Sequence, residues 1–135
     1  MPAQTAAIKV FIADDSIQIR LRIAALLGAA GMAIVGEGQT PRDCMDGILL
    51  AQPDVVVLDV QLDGGSGLEV LRGVRALAPA VRFVVFSNNS GPAYRKRYLE
   101  EGARGFLDKS TEFDQLAAAV AAAAPRDAQA AGTLS

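Results

Sequence analysis

Short apolar segments alternate along the chain with longer segments in which apolar residues recur every three or four positions. The short segments are rich in Val, Ile and Phe and are bounded by Gly, Pro, Asp or Asn, a pattern typical of buried strands. Five strands are predicted, at residues 8–13, 33–36, 54–58, 81–86 and 104–108. Five helices are predicted after them, at about residues 16–30, 41–51, 66–77, 93–101 and 111–124.

The helix ends carry recognisable signals. N-terminal caps are predicted at Thr40, Ser66 and Thr111, because these hydroxyls can accept a hydrogen bond from the first turn. Gly31 and Gly102 are predicted to end the first and fourth helices. The first helix is expected to bury one face, made up of Ile17, Leu21, Ala24 and Leu27.

Strands that alternate with helices predict an α/β fold in which both faces of a parallel sheet are covered. Right-handed crossovers make such a sheet doubly wound. A chain of 135 residues is one ordinary domain. We expect that domain over residues 1–124, followed by a loose tail or linker at residues 125–135, which is too short to hold a DNA-binding fold.

Composition narrows the functional classes. The net charge is −2 and the pI about 5.0, which gives no electrostatic footprint for nucleic acid or an anionic membrane. Cys44 is the single cysteine, so no intrachain disulfide can form and a cytoplasmic location is expected. We expect Cys44 to be a small core residue on a helix. The chain has no histidine, which excludes Ser-His-Asp catalysis, His-ligated zinc and a phosphohistidine on this chain.

The notable polar residues all lie at the carboxyl ends of predicted strands: Asp14, Asp15, Asp59, Ser87 and Lys109. Ligands of open α/β sheets bind at this edge. Three carboxylates that converge there repel one another unless a cation lies among them, and an all-oxygen ligand set suits Mg²⁺. A carboxylate beside Mg²⁺ can attack a phosphoryl group, because phosphoryl transfer depends mostly on positioning and charge neutralisation.

The segments "FIADDS", "VVVLDVQLDGGSGLEVL", "FVVFSNNS" and "GFLDKS" together resemble the receiver domain of two-component response regulators, over about residues 7–124. The spacings are 44 residues from Asp15 to Asp59 (59−15), 28 to Ser87 (87−59) and 22 to Lys109 (109−87). The segments "GMAIVGEG" and "GARGFLDKS" are similar to the branch that often carries a helix-turn-helix output. The resemblance implies a flavodoxin-like receiver fold with five strands and five helices.

The resemblance also implies roles for the acidic residues. Asp59 would be the phosphoacceptor and a ligand of Mg²⁺. Asp15 would be a direct carboxylate ligand, Asp14 would act largely through bound water, and the backbone carbonyl of Gln61 would complete the protein ligands. The phosphoryl donor would be a phosphohistidine on another protein, either a histidine kinase or a histidine phosphotransfer protein. The chain itself would not be an enzyme beyond self-phosphorylation and autodephosphorylation.

By the same resemblance, Ser87 and Lys109 would contact the phosphoryl group, and Ser87 and Phe106 would form the switch. The outer surface of the fourth helix, fifth strand and last helix, which is expected to carry Tyr94, Arg95, Arg97 and Tyr98, would then bind an unidentified output protein. Two positions depart from the pattern of the receiver family. Ser110 stands where many receivers have a cis proline, so a trans bond after Lys109 is expected, and Asn88 is expected to narrow access to Asp59.

Two alternatives stay open. One is a Mg²⁺-dependent phosphatase with an aspartate nucleophile, which would need a second acid where Gln61 stands. The other is a receiver fold that acts as an interaction module without phosphorylation. A homodimer is a further expectation, because "LAAAVAAAA" makes the last helix apolar nearly all round.

Overall fold

The computed structural model describes residues 6–125. The main strands are β1 (Lys9–Ala13), β2 (Ala33–Gly38), β3 (Val55–Leu58), β4 (Arg82–Ser87) and β5 (Gly105–Asp108). The helices are α1 (Ile17–Ala29), α2 (Pro41–Ala51), α3 (Gly67–Leu77), α4 (Pro92–Glu100) and α5 (Leu116–Ala123). The strands form one parallel sheet in the order β2-β1-β3-β4-β5. The predicted doubly wound fold of five strands and five helices is confirmed.

The sheet separates two hydrophobic cores. One face carries Phe11, Val56 and Val85, which belong to a core shared with α2, α3 and α4. The other face carries Ile12 and Val57, which belong to a core shared with α1 and α5. Successive side chains of a strand point to opposite faces, so a strand with apolar residues throughout supplies both cores. This is why the continuous run in β3 is buried along its whole length.

Most predicted helix ends are confirmed. The hydroxyls of Thr40 and Ser66 accept hydrogen bonds from the first turns of α2 and α3. Gly31 and Gly102 have φ angles of +86° and +107° and follow α1 and α4. Thr111 is wrong as a cap, because a 3₁₀ turn (Phe113–Gln115) precedes α5 and neither element has a side-chain cap. The Asp108 carboxylate instead accepts the backbone N–H groups of Ser110 and Thr111, which precede this 3₁₀ turn.

The predicted inward face of α1 is wrong in part. Ile17 and Leu21 are 61% and 62% exposed, whereas Leu27 is buried. The buried positions of α1 are Arg20, Ile23 and Leu27. Apolar residues occur on several faces of this helix, so the pattern alone did not fix which face is buried.

Phe11 fills a slot between β2 and α2. A Cβ on Gly36 would lie 2.8 Å from the Phe11 ring, and one on Gly47 would lie 2.7 Å from it. Both distances are shorter than a carbon–carbon contact allows. The two glycines therefore provide the space that the ring occupies.

Within residues 6–125, no helix is long and apolar enough to cross a membrane. Apart from Pro125, the predicted tail at residues 125–135 lies outside the described residues.

Candidate functional site

Three carboxylates meet at the carboxyl edge of the sheet. Asp14 and Asp15 follow β1, Asp59 follows β3, and each offers an oxygen within 4.8 Å of the others. Parallel pairing of β1 with β3, in which Ala13 lies opposite Leu58, brings the next residues of the two strands together. The predicted convergence of the acids is confirmed, and an all-oxygen set of this kind fits a hard divalent cation.

Lys109 joins two of these carboxylates. Its Nζ lies 2.5 Å from Oδ2 of Asp14 and 2.9 Å from Oδ2 of Asp59. The Lys109 side chain is only 7% exposed. Burial alone would lower the pKa of Lys109, but the hydrogen bonds that Lys109 donates to the Asp14 and Asp59 carboxylates, together with their negative charges, outweigh burial and raise the pKa. The ammonium group is therefore a fixed positive charge at the site.

Asp14 and Asp15 differ in how the protein engages their oxygens. Oδ1 of Asp14 accepts the backbone N–H of Ser16 at 2.9 Å, and Oδ2 contacts Lys109. Burial raises the pKa of the Asp14 carboxyl despite these contacts. Asp15 is exposed, and no hydrogen bond or ion pair holds its carboxylate within residues 6–125. Asp15 thus has both oxygens available to a ligand, whereas Asp14 has neither free.

The loop after Asp59 is held by close backbone contacts. It contains a short antiparallel hairpin, Gln61–Leu62 with Gly65–Ser66. The Gly67 N–H donates to the Val60 carbonyl at 2.7 Å, and a Cβ on Gly67 would lie 2.1 Å from the Asp59 carbonyl oxygen. Only glycine fits at this position, so the start of α3 presses directly on the backbone of Asp59. The sequence pattern around Gly67 gave no sign of this close approach.

Asp15 and Asp59 border a cleft of about 390 Å³. Asp59 and Lys109 lie on its floor with Ser87, and Gln61 and Asn88 line it as well. Ser87 is fully buried, and its hydroxyl accepts the Asn89 N–H at 3.0 Å. Asn88 lines the same cleft as Asp59, next to Ser87. No peptide bond within residues 6–125 is cis, so the predicted trans bond after Lys109 is confirmed.

Phe106, the predicted switch residue, is 3% exposed and packs edge-on against Tyr98, with ring centroids 6.1 Å apart. Tyr98 is also buried, and its hydroxyl donates to the Val60 carbonyl at 3.4 Å. Tyr98 was expected on the outer surface with Tyr94, so that expectation is wrong. The two rings instead connect β5 to the residue that follows Asp59.

Sequence reasoning missed Arg20, which supports the acidic site from below. Its Nη1 donates to the Asp14 carbonyl at 2.6 Å, and its Nε donates to Oε1 of Glu37 at 3.1 Å. A buried arginine needs such partners, because an unpaired buried charge is costly. The one available signal was an arginine among apolar residues of α1, which alone does not reveal a partner.

Both the sequence and the fold of this chain are similar to those of known proteins. The response regulator receiver domain family matches residues 10–121. The transcriptional regulatory protein DesR of Bacillus subtilis is 29% identical over 114 residues, which cover 84% of this chain and 56% of that protein. The DNA-binding transcriptional activator DevR/DosR of Mycobacterium tuberculosis is 32% identical over 114 residues, covering 84% of this chain and 52% of that protein. The chain spans about half the length of these relatives.

Solved structures agree with this assignment. The signal receiver domain of the putative response regulator NarL from Mycobacterium tuberculosis has a TM-score of 0.78 at 29% identity, covering 84% of this chain and 93% of that one. The BeF3-activated receiver domain of Klebsiella pneumoniae RstA has a TM-score of 0.77 at 25% identity, covering 85% and 97%. Since the family match covers most of the sequence, this chain belongs to the receiver domain family of two-component response regulators, a family of signal-transduction proteins.

Proposed function

We propose that Asp59 accepts a phosphoryl group from a phosphohistidine on a histidine kinase or a histidine phosphotransfer protein, in a reaction that requires Mg²⁺. One observation carries this proposal: three carboxylates and the Lys109 ammonium group converge at the carboxyl edge of the sheet. The receiver would comprise residues 1–124, with residues 125–135 as a tail or linker, and would act in the cytoplasm.

In the transfer step, an oxygen of the Asp59 carboxylate attacks phosphorus while the bond from phosphorus to the histidine nitrogen breaks. The product is an acyl phosphate on Asp59 and a free imidazole on the partner. Lys109 lies 2.9 Å from Oδ2 of Asp59 and would neutralise charge on the phosphoryl oxygens. The Ser87 hydroxyl would donate a hydrogen bond to one of those oxygens, giving up its present position beside Asn89.

Asp15 and Asp59 would hold the metal directly, with the Gln61 carbonyl as a third protein ligand. Asp14 would act through water, because both of its oxygens already have protein partners. The metal would supply charge neutralisation between the carboxylates and the incoming phosphoryl group. The all-oxygen donor set and the 4.8 Å grouping support this assignment.

Incubation with acetyl phosphate, followed by intact mass measurement, tests the proposal. The parent should gain one phosphoryl group, labile in base, only when Mg²⁺ is present. Asp59→Asn should gain none. Asp63→Asn is the matched control, because it makes the same change at an exposed acid of the same loop, and it should behave as the parent.

Uptake by Asp59→Asn at the parent's rate would exclude Asp59 as the acceptor. If neither parent nor control takes up a phosphoryl group, from acetyl phosphate or from a phosphohistidine donor, the chain is an interaction module that works without phosphorylation. Steady turnover of a small phosphate ester would instead favour the phosphatase alternative.

We also propose that phosphorylation changes the surface formed by α4, β5 and α5, and that an output protein binds there. Movement of the Ser87 hydroxyl towards the phosphoryl group would alter the packing of Phe106, which is now buried against Tyr98. Tyr94, Arg95 and Arg97 lie on the exposed side of α4 and would contact the partner. The beryllofluoride-activated form of the RstA receiver supports the use of this mimic as a probe.

A homodimer through α5 is a further part of the proposal. Leu116, Val120 and Ala123 pack into the core, while Ala118 lies on the exposed side of this helix. Sedimentation with and without beryllofluoride should detect a second copy. A strict monomer in both conditions would exclude the dimer.

A further inference from the structure

A second cleft lies at the opposite edge of the sheet, where the strands begin. It has a volume of about 240 Å³ and contains three arginines, Arg75, Arg82 and Arg104. Arg75 is in the last turn of α3, Arg82 is the first residue of β4, and Arg104 directly precedes β5. The guanidinium groups therefore come from three separate places in the chain: α3, β4 and the residue before β5. The buried side chain of Leu71 also lines the cleft.

In the part of the chain that the structure describes, no carboxylate pairs directly with these arginines. The hydrogen bond from Arg72 contributes most to the lowered pKa of Glu101, and the charge of Arg75 contributes less. Among residues 6–125, no carboxylate oxygen lies within 4.0 Å of the three guanidinium groups. Glu101, the acid nearest to Arg104 in sequence, accepts hydrogen bonds from the Arg72 guanidinium at 2.8 and 3.2 Å. Arginine stays charged at all ordinary pH values. Three fixed positive charges thus face one cleft in a chain whose net charge is −2.

Backbone contacts hold two of these side chains in place. Nη1 of Arg75 donates to the Glu101 carbonyl, and Nε of Arg82 donates to the Ala80 carbonyl at 3.2 Å. The Arg75 guanidinium lies over Gly102, where a Cβ would be 3.4 Å from Nη1. Each guanidinium has five N–H donors. The backbone contacts therefore fix the groups while leaving most of their donors to a ligand.

We propose that this cleft binds a small tetrahedral oxyanion that carries two negative charges. The shared chemistry is that of a phosphoryl group, either in free inorganic phosphate or in a small phosphomonoester. A carboxylate offers its oxygens in one plane and to one fork, whereas a tetrahedral anion offers oxygens in several directions and can meet forks from three elements. The volume of the cleft is below the range typical of drug-sized ligands, so it favours a small anion.

The site is separate from the acidic cleft. Arg82 and Ser87 stand at opposite ends of the same strand, β4, so the two clefts open at opposite edges of the sheet. The inference does not depend on the phosphorylation of Asp59. A negative result for phosphorylation of Asp59 does not affect the proposed anion site, and the reverse also holds. The experiment must therefore distinguish binding at the two edges of the sheet.

Amide chemical shifts measured during titration give that resolution. Inorganic phosphate, glycerol phosphate, sulfate and acetate should each be added to the isotopically labelled chain, without Mg²⁺, at constant ionic strength and slightly alkaline pH. Saturable shifts are expected around residues 75, 82 and 102–104 with phosphate and sulfate. Acetate should bind at least about tenfold more weakly, because it carries one charge and one plane of oxygens. Tighter binding of glycerol phosphate than of phosphate would identify a phosphomonoester as the ligand, and the reverse order would identify free phosphate.

Arg82→Gln and Arg104→Gln should each weaken phosphate binding by about tenfold, the loss expected for one charge-assisted hydrogen-bonding group. Arg42→Gln is the matched control, because it removes the same charge from an exposed residue already paired with Asp46, and it should bind as the parent. Shifts that never saturate, that follow all basic residues alike, or that weaken equally in Arg42→Gln would overturn the proposal.

Discussion

The guanidinium of Arg20 connects Glu37 to the backbone of Asp14. Nη1 donates to the Asp14 carbonyl oxygen at 2.6 Å, and Nε lies 3.1 Å from the Glu37 carboxylate. The contact joins α1 and β2 to the end of β1, where the acidic residues begin. Arg20 acts on the proposed metal site by holding its backbone, without touching the carboxylates themselves.

Replacement of Arg20 should therefore affect both stability and metal binding. Arg20→Gln should lower the free energy of unfolding by about 2 kcal/mol, because buried hydrogen bonds to a charged group are lost. Mg²⁺ affinity should fall by about tenfold, as for other residues that support ligands. Arg20→Lys keeps the positive charge, so it should lose less stability and less Mg²⁺ affinity than Arg20→Gln. Urea unfolding and Mg²⁺ titration measure the two effects, and unchanged affinity in a folded Arg20→Gln would refute the positioning role.

Gly67→Ala should be strongly destabilising, because the new Cβ would lie 2.1 Å from the Asp59 carbonyl oxygen. The backbone must move, at a cost of about 3 kcal/mol. Gly28→Ala is the control: it makes the same change inside α1, where a Cβ meets nothing within 4 Å. That variant should gain up to about 1 kcal/mol from better helix propensity. Thermal melts of the pair should move in opposite directions, and a shared direction would contradict the close approach at Gly67.

Asp15→Asn should weaken Mg²⁺ binding more than Asp14→Asn, since Asp15 has the free carboxylate. Asp14→Asn, which removes a residue that supports the metal site through water, should lower the Mg²⁺ affinity by about 10- to 100-fold. Without metal, Asp15→Asn should be at least as stable as the parent, because one of three crowded carboxylates is removed. Melting transitions followed at increasing Mg²⁺ concentration measure both quantities. Equal affinity in Asp15→Asn and the parent would rule out Asp15 as a ligand.

The stability difference between Asp14→Asn and the parent should depend on pH. Burial raises the pKa of the Asp14 carboxyl in the folded state above its ordinary value of 3.8. The parent therefore loses stability as the pH rises from 3.8 through the folded-state pKa, because the buried carboxyl becomes charged. Asp14→Asn should therefore gain relative to the parent at neutral pH. The gain should disappear below pH 3.8, where both the folded and unfolded parent are protonated. Urea midpoints in the absence of metal test this, with Asp63→Asn as an exposed control; a gain that grows on acidification would contradict it.

Ser87→Ala should separate phosphorylation from the response at the surface. Asp59 and the other acids remain, so the variant should still take up a phosphoryl group. It should lose most of the chemical-shift change that beryllofluoride produces at residues 90–108, because no hydroxyl moves towards the mimic. Ser87→Thr keeps a hydroxyl and should retain more of the change. Shifts in Ser87→Ala that match the parent's would show that Ser87 does not couple the site to α4 and β5.

The sheet and the acidic cleft were predictable because their determinants are local or follow from topology. Apolar runs defined the strands, and parallel pairing then brought residues at the ends of β1 and β3 together. The caps at Thr40 and Ser66 depend only on the next few residues. These features could be predicted without knowledge of distant contacts.

Two of the missed features, the burial of Arg20 and the close approach at Gly67, depend on contacts between different parts of the fold. Arg20 is buried and contacts Glu37, 17 residues away on another element. Ile17, on the same helix, is exposed. The failed Thr111 cap has a local cause: the backbone N–H of Thr111 donates to the Asp108 carboxylate three residues earlier, and a 3₁₀ turn separates Thr111 from α5. Nothing in a local pattern distinguishes Gly67, whose conformation is ordinary, from a turn glycine; only the position of the Asp59 carbonyl does.

The slot that holds Phe11 has a consequence for how this sequence can diverge. Because the ring occupies the volume that side chains at positions 36 and 47 would need, the three positions share one fixed amount of space. A larger residue at either glycine is compatible with the fold only if residue 11 becomes smaller. Among homologues that keep this packing of α2 on the sheet, the three positions should vary together, with residue size exchanged between strand and helix.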